Sequence, residues 1–378
     1  MSASGSKWPE GFARGLDNRR AVVVLSALRG LTPRRLLELA RRGGSASACL
    51  ALIRSGGAGS AADQRFARTL DPAPIEEAVA ACGARIVVTG DAEYPHGLEA
   101  LADPPASLFV RGRSLAEVAP AVSIVGARRC TALGGEIAED FGRALGAAGV
   151  WVVSGAARGI DAASHEGALA AGGRTVAILG CGIDVVYPPA SRSLISRIAA
   201  AGAVVSEYPP GVPAEPFRFP ARNRIVAALG RALVVVEGAP GSGSLISADH
   251  ALELGRQVFA VPGAVNNPLA EVPFALIRDG AVPIRGADDL LEELGLERRE
   301  ATDASLGSGP ALDGLEAAAF SKVTAAVLPE VVARELGLTV PQVVPLLMSL
   351  EMKGFVRSVG GRFERRLSRG TGKSRSRR

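Results

Sequence analysis

Between residues 119 and 263 the chain carries four glycine-rich turns, and each follows a short apolar run. They are Ser-Ile-Val-Gly-Ala-Arg (123–128), Ser-Gly-Ala-Ala-Arg-Gly-Ile-Asp (154–161), Leu-Gly-Cys-Gly (179–182) and Gly-Ser-Gly-Ser-Leu-Ile (241–246). A strand that ends in such a turn and then opens a helix presents unpaired backbone N–H groups to an anion. Glycine lets those amides come close, because it has no Cβ and accepts positive φ. Two of the turns also hold an arginine, Arg128 and Arg158. Repeated along one sheet edge, the pattern predicts an anion-binding surface longer than a single nucleotide needs.

The spacing of apolar residues supplies that edge. From Arg85 onward, Ile86–Val88, Val122–Val125, Val150–Val153, Thr175–Leu179, Ala203–Ser206, Leu233–Val236 and Val258–Val261 are short β-branched runs, most of them followed by helical segments. Strand and helix in alternation give βαβ units, hence an α/β fold with a doubly wound, mostly parallel sheet. Ligands of such sheets bind beyond the carboxyl ends of the strands, where the glycine turns fall. With 48% hydrophobic and only 4% aromatic residues, the 378-residue chain suits this architecture better than a β-sandwich.

Charge places the anion site locally. The formal charge is +5, but residues 365–378 hold seven Arg or Lys and no acid, which leaves the rest of the chain at −2. A polyanion is therefore held by clustered arginines and amides rather than by a net field. Four scattered cysteines and three separated histidines give neither a disulfide framework nor a metal site. The N-terminus has no apolar stretch and no run reaches membrane-spanning length, so a cytoplasmic protein without membrane insertion is expected.

Outside the sheet, residues 1–18 read as a flexible lead and 19–75 as a helical domain. Thr32-Pro33 suits a helix start, since Thr caps and Pro fits the first position. The Leu28–Leu31 turn resembles a helix-hairpin-helix, which either holds a DNA phosphate on its glycine amide or simply packs two helices. Residues 84–296 form the extended sheet domain, 297–311 a linker, 312–367 a winged-helix-like domain and 368–378 a basic disordered tail. The recognition-like segment Thr339–Lys353 is rich in Val, Leu and Met, which favours protein contact over reading a major groove.

Two nucleotide chemistries are disfavoured by the turns themselves. A nicotinamide or flavin fingerprint needs Gly-x-Gly-x-x-Gly, whereas the first turn has only Gly126 and places Arg128 where the second glycine belongs. The fourth turn lacks the Gly-Lys-[Ser/Thr] ending that hydrolysis of a nucleoside triphosphate requires, leaving a cup of Ser242, Gly243 and Ser244 that suits one phosphate without cleaving it. Asp161, His165 and Ser154 invite a catalytic reading, but Asp161 is placed to cap its helix or pair with Arg158. No catalytic residue, cofactor or metal is assigned.

Eight segments in order resemble one family. They are 124–128 (Ile-Val-Gly-Ala-Arg), 152–165 (Val-Val-Ser-Gly-Ala-Ala-Arg-Gly-Ile-Asp-Ala-Ala-Ser-His), 177–188 (Ala-Ile-Leu-Gly-Cys-Gly-Ile-Asp-Val-Val-Tyr-Pro), 205–211 (Val-Ser-Glu-Tyr-Pro-Pro-Gly), 219–227 (Phe-Pro-Ala-Arg-Asn-Arg-Ile-Val-Ala), 242–248 (Ser-Gly-Ser-Leu-Ile-Ser-Ala), 259–263 (Phe-Ala-Val-Pro-Gly) and 276–281 (Leu-Ile-Arg-Asp-Gly-Ala). Residues 119–294 thereby resemble the Rossmann-like core of the DNA-processing protein A (DprA, or Smf) family. The resemblance implies a sterile-alpha-motif-like helical domain over 19–70 and a C-terminal winged helix over 313–367. It further implies a non-enzymatic, homodimeric protein that binds single-stranded DNA and helps load RecA recombinase during natural transformation. The binding residues it suggests are Gly126, Arg128, Gly155, Arg158, Gly159, Arg222, Asn223, Arg224, Ser242, Gly243 and Ser244. One arginine of the pair 222/224 can instead serve as a structural ion-pair partner, and Tyr187 and Phe219 either stack bases or pack internally.

Two departures stand out. Gly241 replaces the family's usual cation, and Ala270-Glu-Val-Pro-Phe-Ala replaces a Ser-Arg-Gly-rich stretch and adds Glu271. Two rival readings stay open. A phosphoribohydrolase-like enzyme would need a glutamate where Ser247 stands, and a duplex-DNA regulator would act through the winged helix.

Overall fold

The structure, a computed structural model, describes residues 6–297, 312–324 and 326–366. They fall into two units, Met1–Arg299 and Glu300–Arg378. The expected linker lies almost wholly outside the described residues, and so does the expected basic tail.

Five helices open the first unit: α1 (Leu16–Ser26), α2 (Pro33–Gly43), α3 (Ala46–Arg54), α4 (Ala61–Thr69) and α5 (Ala73–Ala81). Thr32 caps α2, its hydroxyl accepting the Arg35 N–H, with Pro33 in the first turn. The reading of residues 1–18 as a flexible lead needs correction for the described part. Trp8 and Phe12 stack at 4.6 Å and are buried in the helical core, and the Phe12 carbonyl accepts the Ala46 N–H. Burying two large rings, each worth about 1.5–3 kcal/mol, fixes this segment. The hairpin at Leu28–Leu31 packs rather than waiting for a phosphate, because the Gly30 N–H already donates to buried Asp63 at 3.0 Å. The helical region is also not separate from the sheet. Its core includes Val88 and Ala106, and α5 runs past residue 75.

The sheet has nine strands: β1 (Ala84–Val88), β2 (Ser107–Gly112), β3 (Ala121–Val125), β4 (Trp151–Ser154), β5 (Thr175–Leu179), β6 (Ala203–Ser206), β7 (Ala232–Val235), β8 (Gln257–Ala260) and β9 (Val282–Pro283). The intervening helices are α6 (His96–Glu99), α7 (Ala132–Ala147), α8 (Ile160–Ala170), α9 (Arg192–Ala201), α10 (Arg218–Leu229), α11 (Gly243–Glu253) and α12 (Glu271–Arg278), with α13 (Ala287–Glu293) after the last strand. The spatial order is β1-β2-β6-β5-β4-β3-β7-β8-β9. Only the β1–β2 and β2–β6 pairs are antiparallel. The sequence reading finds the parallel strands to within a residue at each end; β2, whose run follows Pro104-Pro105, and the two-residue β9 escape it.

Alternation along β3 shows why the central strands are continuously apolar. Val122 and Ile124 pack with Phe141, Leu145 and Phe259 on one face, while Ala121 and Val125 meet Ile225, Val226 and Leu276 on the other. A strand covered on both faces has no solvent side to make polar. Its one hydroxyl, Ser123, donates to the Val226 carbonyl at 2.6 Å and so ties β3 to α10.

In the second unit α14 (Gly314–Lys322), α15 (Pro329–Leu336) and α16 (Val340–Met352) precede the antiparallel hairpin β10 (Val356–Val359) and β11 (Arg362–Arg365). Val332, Val343, Leu347, Leu350, Val356 and Phe363 form its core. Three helices and a two-stranded wing make a winged helix. The exposed side of α16 carries Pro341, Gln342, Pro345, Met348 and Met352, a largely apolar set poor in base-reading side chains. Among the described residues no single helix is long and apolar enough to cross a membrane.

Candidate functional site

The chain leaves β3 to build β4, β5 and β6 on one side, then returns to place β7, β8 and β9 on the other. At this switch point the loops beyond the strand ends diverge and leave a crevice. A cavity of about 530 Å³ opens there, walled by the first turn, the start of α10 and the loop before α11.

The first turn is held from beneath. Thr131 caps α7 by accepting the Gly134 N–H at 2.9 Å. Its own N–H and hydroxyl donate to the carboxylate of buried Glu237, at 2.9 and 2.6 Å. With the turn fixed, Arg128 stands exposed and makes no ion pair among the described residues. Its guanidinium lies 5.1 Å from the centre of the Phe219 ring. The Tyr187 ring lies 5.3 Å from that of Phe219, and Tyr187 is 46% exposed. The wall thus offers a free cation beside two rings that are partly open to solvent, a combination that suits a phosphate and a planar base together.

The floor is a buried charge arrangement. Arg222 donates from Nη1 to the Gly155 carbonyl at 2.7 Å and to the Ile178 carbonyl, and from Nε to Asn223 Oδ1 at 3.2 Å. Gly155 admits it closely, since a Cβ there would overlap the guanidinium. Asp161 accepts the Gly155 and Ala157 N–H groups at 3.2 and 3.3 Å. Burial pushes its carboxyl above the usual range, and the positive charge of Arg222 pulls against that. Burial likewise lowers Arg222, while Asp161 supports its charge. The two charges stabilise one another beneath the cavity.

The fourth turn completes the far wall. Ser242, at the N-cap of α11, makes no side-chain cap bond, and its hydroxyl lies 2.6 Å from that of Ser244. Asn223 Nδ2 donates to the Gly243 carbonyl at 2.9 Å, locking α10 to the start of α11. Gly243 and Ser244, the first residues of α11, border the same cavity as Arg128, and a helix N-terminus favours an anion.

Of the residues singled out from the sequence, Gly126, Arg128, Gly155, Arg222, Asn223, Ser242, Gly243 and Ser244 border this one cavity. Arg158, Gly159 and Arg224 do not. Gly159, at φ +75°, instead packs its Cα against the Ala127 carbonyl, which also accepts the Ile160 N–H at 3.2 Å. Arg158 is exposed outside the cavity wall. Arg224 is the structural member of its pair, buried between Glu207 at 2.8 Å and Asp103 at 3.2 Å, which together hold its charge in place. Arg222 is buried too, so it shapes the floor from below and is not a free cation.

The residues that invited a catalytic reading are engaged otherwise. Asp161 bonds the amides of its own turn, not Arg158. Ser154 donates to the Ile124 carbonyl at 2.6 Å, and His165 is buried against Thr175 Oγ1 at 2.6 Å, with burial lowering it to about 3. Arg129, which the sequence reading passed over, is exposed and borders the cavity; its position beside Arg128 in the same turn was the available signal. Glu237 was also missed, because its role depends on a partner 106 residues away. Among the described residues no cluster of His, Cys, Asp and Glu is able to hold a metal ion.

Residues 85–295 match the family model described as DNA recombination-mediator protein A, and residues 307–362 match the DprA winged helix domain. The chain is 38% identical to Protein Smf of Escherichia coli over 287 residues, covering 74% of this chain and 77% of that protein. It is 42% identical to DNA processing protein DprA of Streptococcus pneumoniae over 200 residues, 53% of this chain and 71% of the relative. The crystal structure of the Streptococcus pneumoniae protein superposes with a TM-score of 0.65 at 33% identity, covering 74% of this chain and 98% of that one. A structure of DNA processing protein A from Helicobacter pylori, which concerns its single-stranded DNA binding mode, gives 0.52 at 28% identity over 56% of this chain and 95% of that one.

Proposed function

This chain belongs to the DNA recombination-mediator protein A family, and from that premise we propose that it binds single-stranded DNA in the cavity beyond β3 and β7 and so assists recombination. One observation carries the reading: a free guanidinium, Arg128, stands beside the Phe219 ring, which Tyr187 also meets, in the same cavity as the N-terminus of α11, which lacks a side-chain cap. Phosphates bind the arginine and the helix amides, and an unpaired base lies against the rings. A duplex hides its base faces, so this wall favours a single strand.

The same premise supports a cytoplasmic homodimer that hands incoming DNA to RecA recombinase. It supports binding without catalysis as well. Ser247, where a phosphoribohydrolase would need glutamate, is buried and bonds the Gly243 carbonyl at 3.2 Å. Arg158 lies away from the cavity and serves, on this reading, as an outer phosphate contact. Fluorescence anisotropy with one labelled oligonucleotide, single-stranded and then annealed to its complement, tests the proposal. Tighter binding of the single strand is expected. Equal or tighter duplex binding would overturn it, as would release of free base from AMP by the purified protein.

A further inference from the structure

Beyond the cavity, the carboxyl edge of the sheet continues past β5 to β6, and a second aromatic group stands there. Phe217, just before α10, is 65% exposed. Leaving so large an apolar ring in water forgoes the free energy of burying it, and its neighbours hold it there. The guanidinium of Arg218 lies 5.0 Å from the Phe217 ring centre and 4.6 Å from that of Tyr208, which follows β6. Arg218 is itself fixed by Glu215, which accepts from Nε at 3.0 Å and from Nη2 at 2.7 Å. Buried Arg218 thus meets both rings and anchors the segment on which Phe217 stands exposed as a ledge.

The ledge is continuous in sequence with the cavity wall, since Pro216 and Phe219 on either side of this segment both border the cavity. It also extends the line of binding groups. Across the sheet the order runs from the α11 amides after β7, through Arg128 after β3 and Tyr187 after β5, to Tyr208 after β6. From β3 to β6 is three strand spacings, about 14 Å, whereas a stacked strand advances only about 3.4 Å per nucleotide. A single nucleotide cannot occupy both places.

We propose that Phe217 is a second base-stacking position, engaging a nucleotide of the same strand further along from the one held in the cavity. The inference rests on the single-stranded DNA reading above. It assigns the Phe217–Arg218–Tyr208 stack a share of the affinity for long strands and none of the affinity for a ligand that fills the cavity alone. An exposed ring of this kind tolerates replacement without unfolding the chain.

The test measures binding of a dinucleotide and of a twelve-residue oligothymidine by the parent chain and by Phe217→Ala and Phe217→Trp. Phe217→Ala is expected to weaken oligothymidine binding about tenfold, the loss of one stacked base, and to leave the dinucleotide unchanged. Phe217→Trp is expected to restore affinity, and its new exposed indole to be quenched by the oligothymidine but not by the dinucleotide. Unchanged oligothymidine affinity in Phe217→Ala, with the parent binding well, would overturn this inference alone. A change in oligomeric state in that variant would overturn it too, by making the ring an interface between copies. No binding by the parent would overturn the underlying reading with it.

Discussion

Replacing Arg222 with methionine separates a structural floor from a direct ligand contact. Methionine comes near the arginine stem in length but donates nothing, so the Gly155 and Ile178 carbonyls lose their charged donor in a buried setting. Each orphaned acceptor costs about 1–3 kcal/mol. Asp161 also loses the positive charge that opposes its burial. Breaking one partner of a buried charge arrangement commonly costs about 3–5 kcal/mol, and a loss of about that size is expected at pH 7. Both tryptophans, Trp8 and Trp151, lie in the first unit, so their fluorescence during urea unfolding reports on the region concerned. The same charge bears on how Asp161 titrates. The Asp161 carboxyl is raised in the folded chain, so the native state binds its proton more tightly than the unfolded state, whose value is near 3.9. Its contribution therefore worsens as pH rises from the unfolded value to the folded one. Removing Arg222 raises the folded value further, because its positive charge is what pulls the carboxyl down against burial. A loss below about 1 kcal/mol would refute the assignment of Arg222 to the floor.

Two other perturbations follow from the same geometry. In Gly159→Ala a Cβ would overlap the Ala127 carbonyl at a backbone of φ +75°, so stability should fall by more than about 1 kcal/mol. DNA affinity should fall with it as the Arg128 turn shifts; an unaltered melting temperature would contradict this. In the winged helix, Glu316 is held down at about 2, chiefly by Lys353, with Ser349 and the Asp313 N–H assisting. Its stabilisation is complete above the unfolded value near 4.3 and is lost as pH falls toward 2. Amide NMR signals of Val343 and Leu347 should therefore weaken on acidification in the parent, and Glu316→Gln should remove most of that pH dependence.

The strands and turns were readable because glycine, β-branched runs and caps act locally. The Thr32 cap, bonded to the Arg35 N–H three residues on, needed no distant partner to be anticipated. The division of labour between Arg222 and Arg224 was not readable. Both sit near the start of one helix, and their fates depend on Glu207 and Asp103, which the fold brings from other segments. The position of Arg158 relative to the cavity was not readable for a similar reason. Its turn has the composition of an anion site, yet Gly159 packs against the first turn and leaves Arg158 outside the cavity. Trp8 and Phe12 looked like part of a loose lead because their burial depends on helices that follow in the chain.

The central claim is that Arg128 contacts a phosphate in the cavity between β3 and β7. Binding of a labelled single strand over a series of salt concentrations, for the parent and for Arg128→Ala, tests it most directly. Each phosphate contact on a single strand contributes about −0.7 to the slope of log affinity against log salt. The account predicts that Arg128→Ala binds more weakly and that its slope is shallower by about that amount. A variant with the parent's affinity and the parent's slope would contradict it.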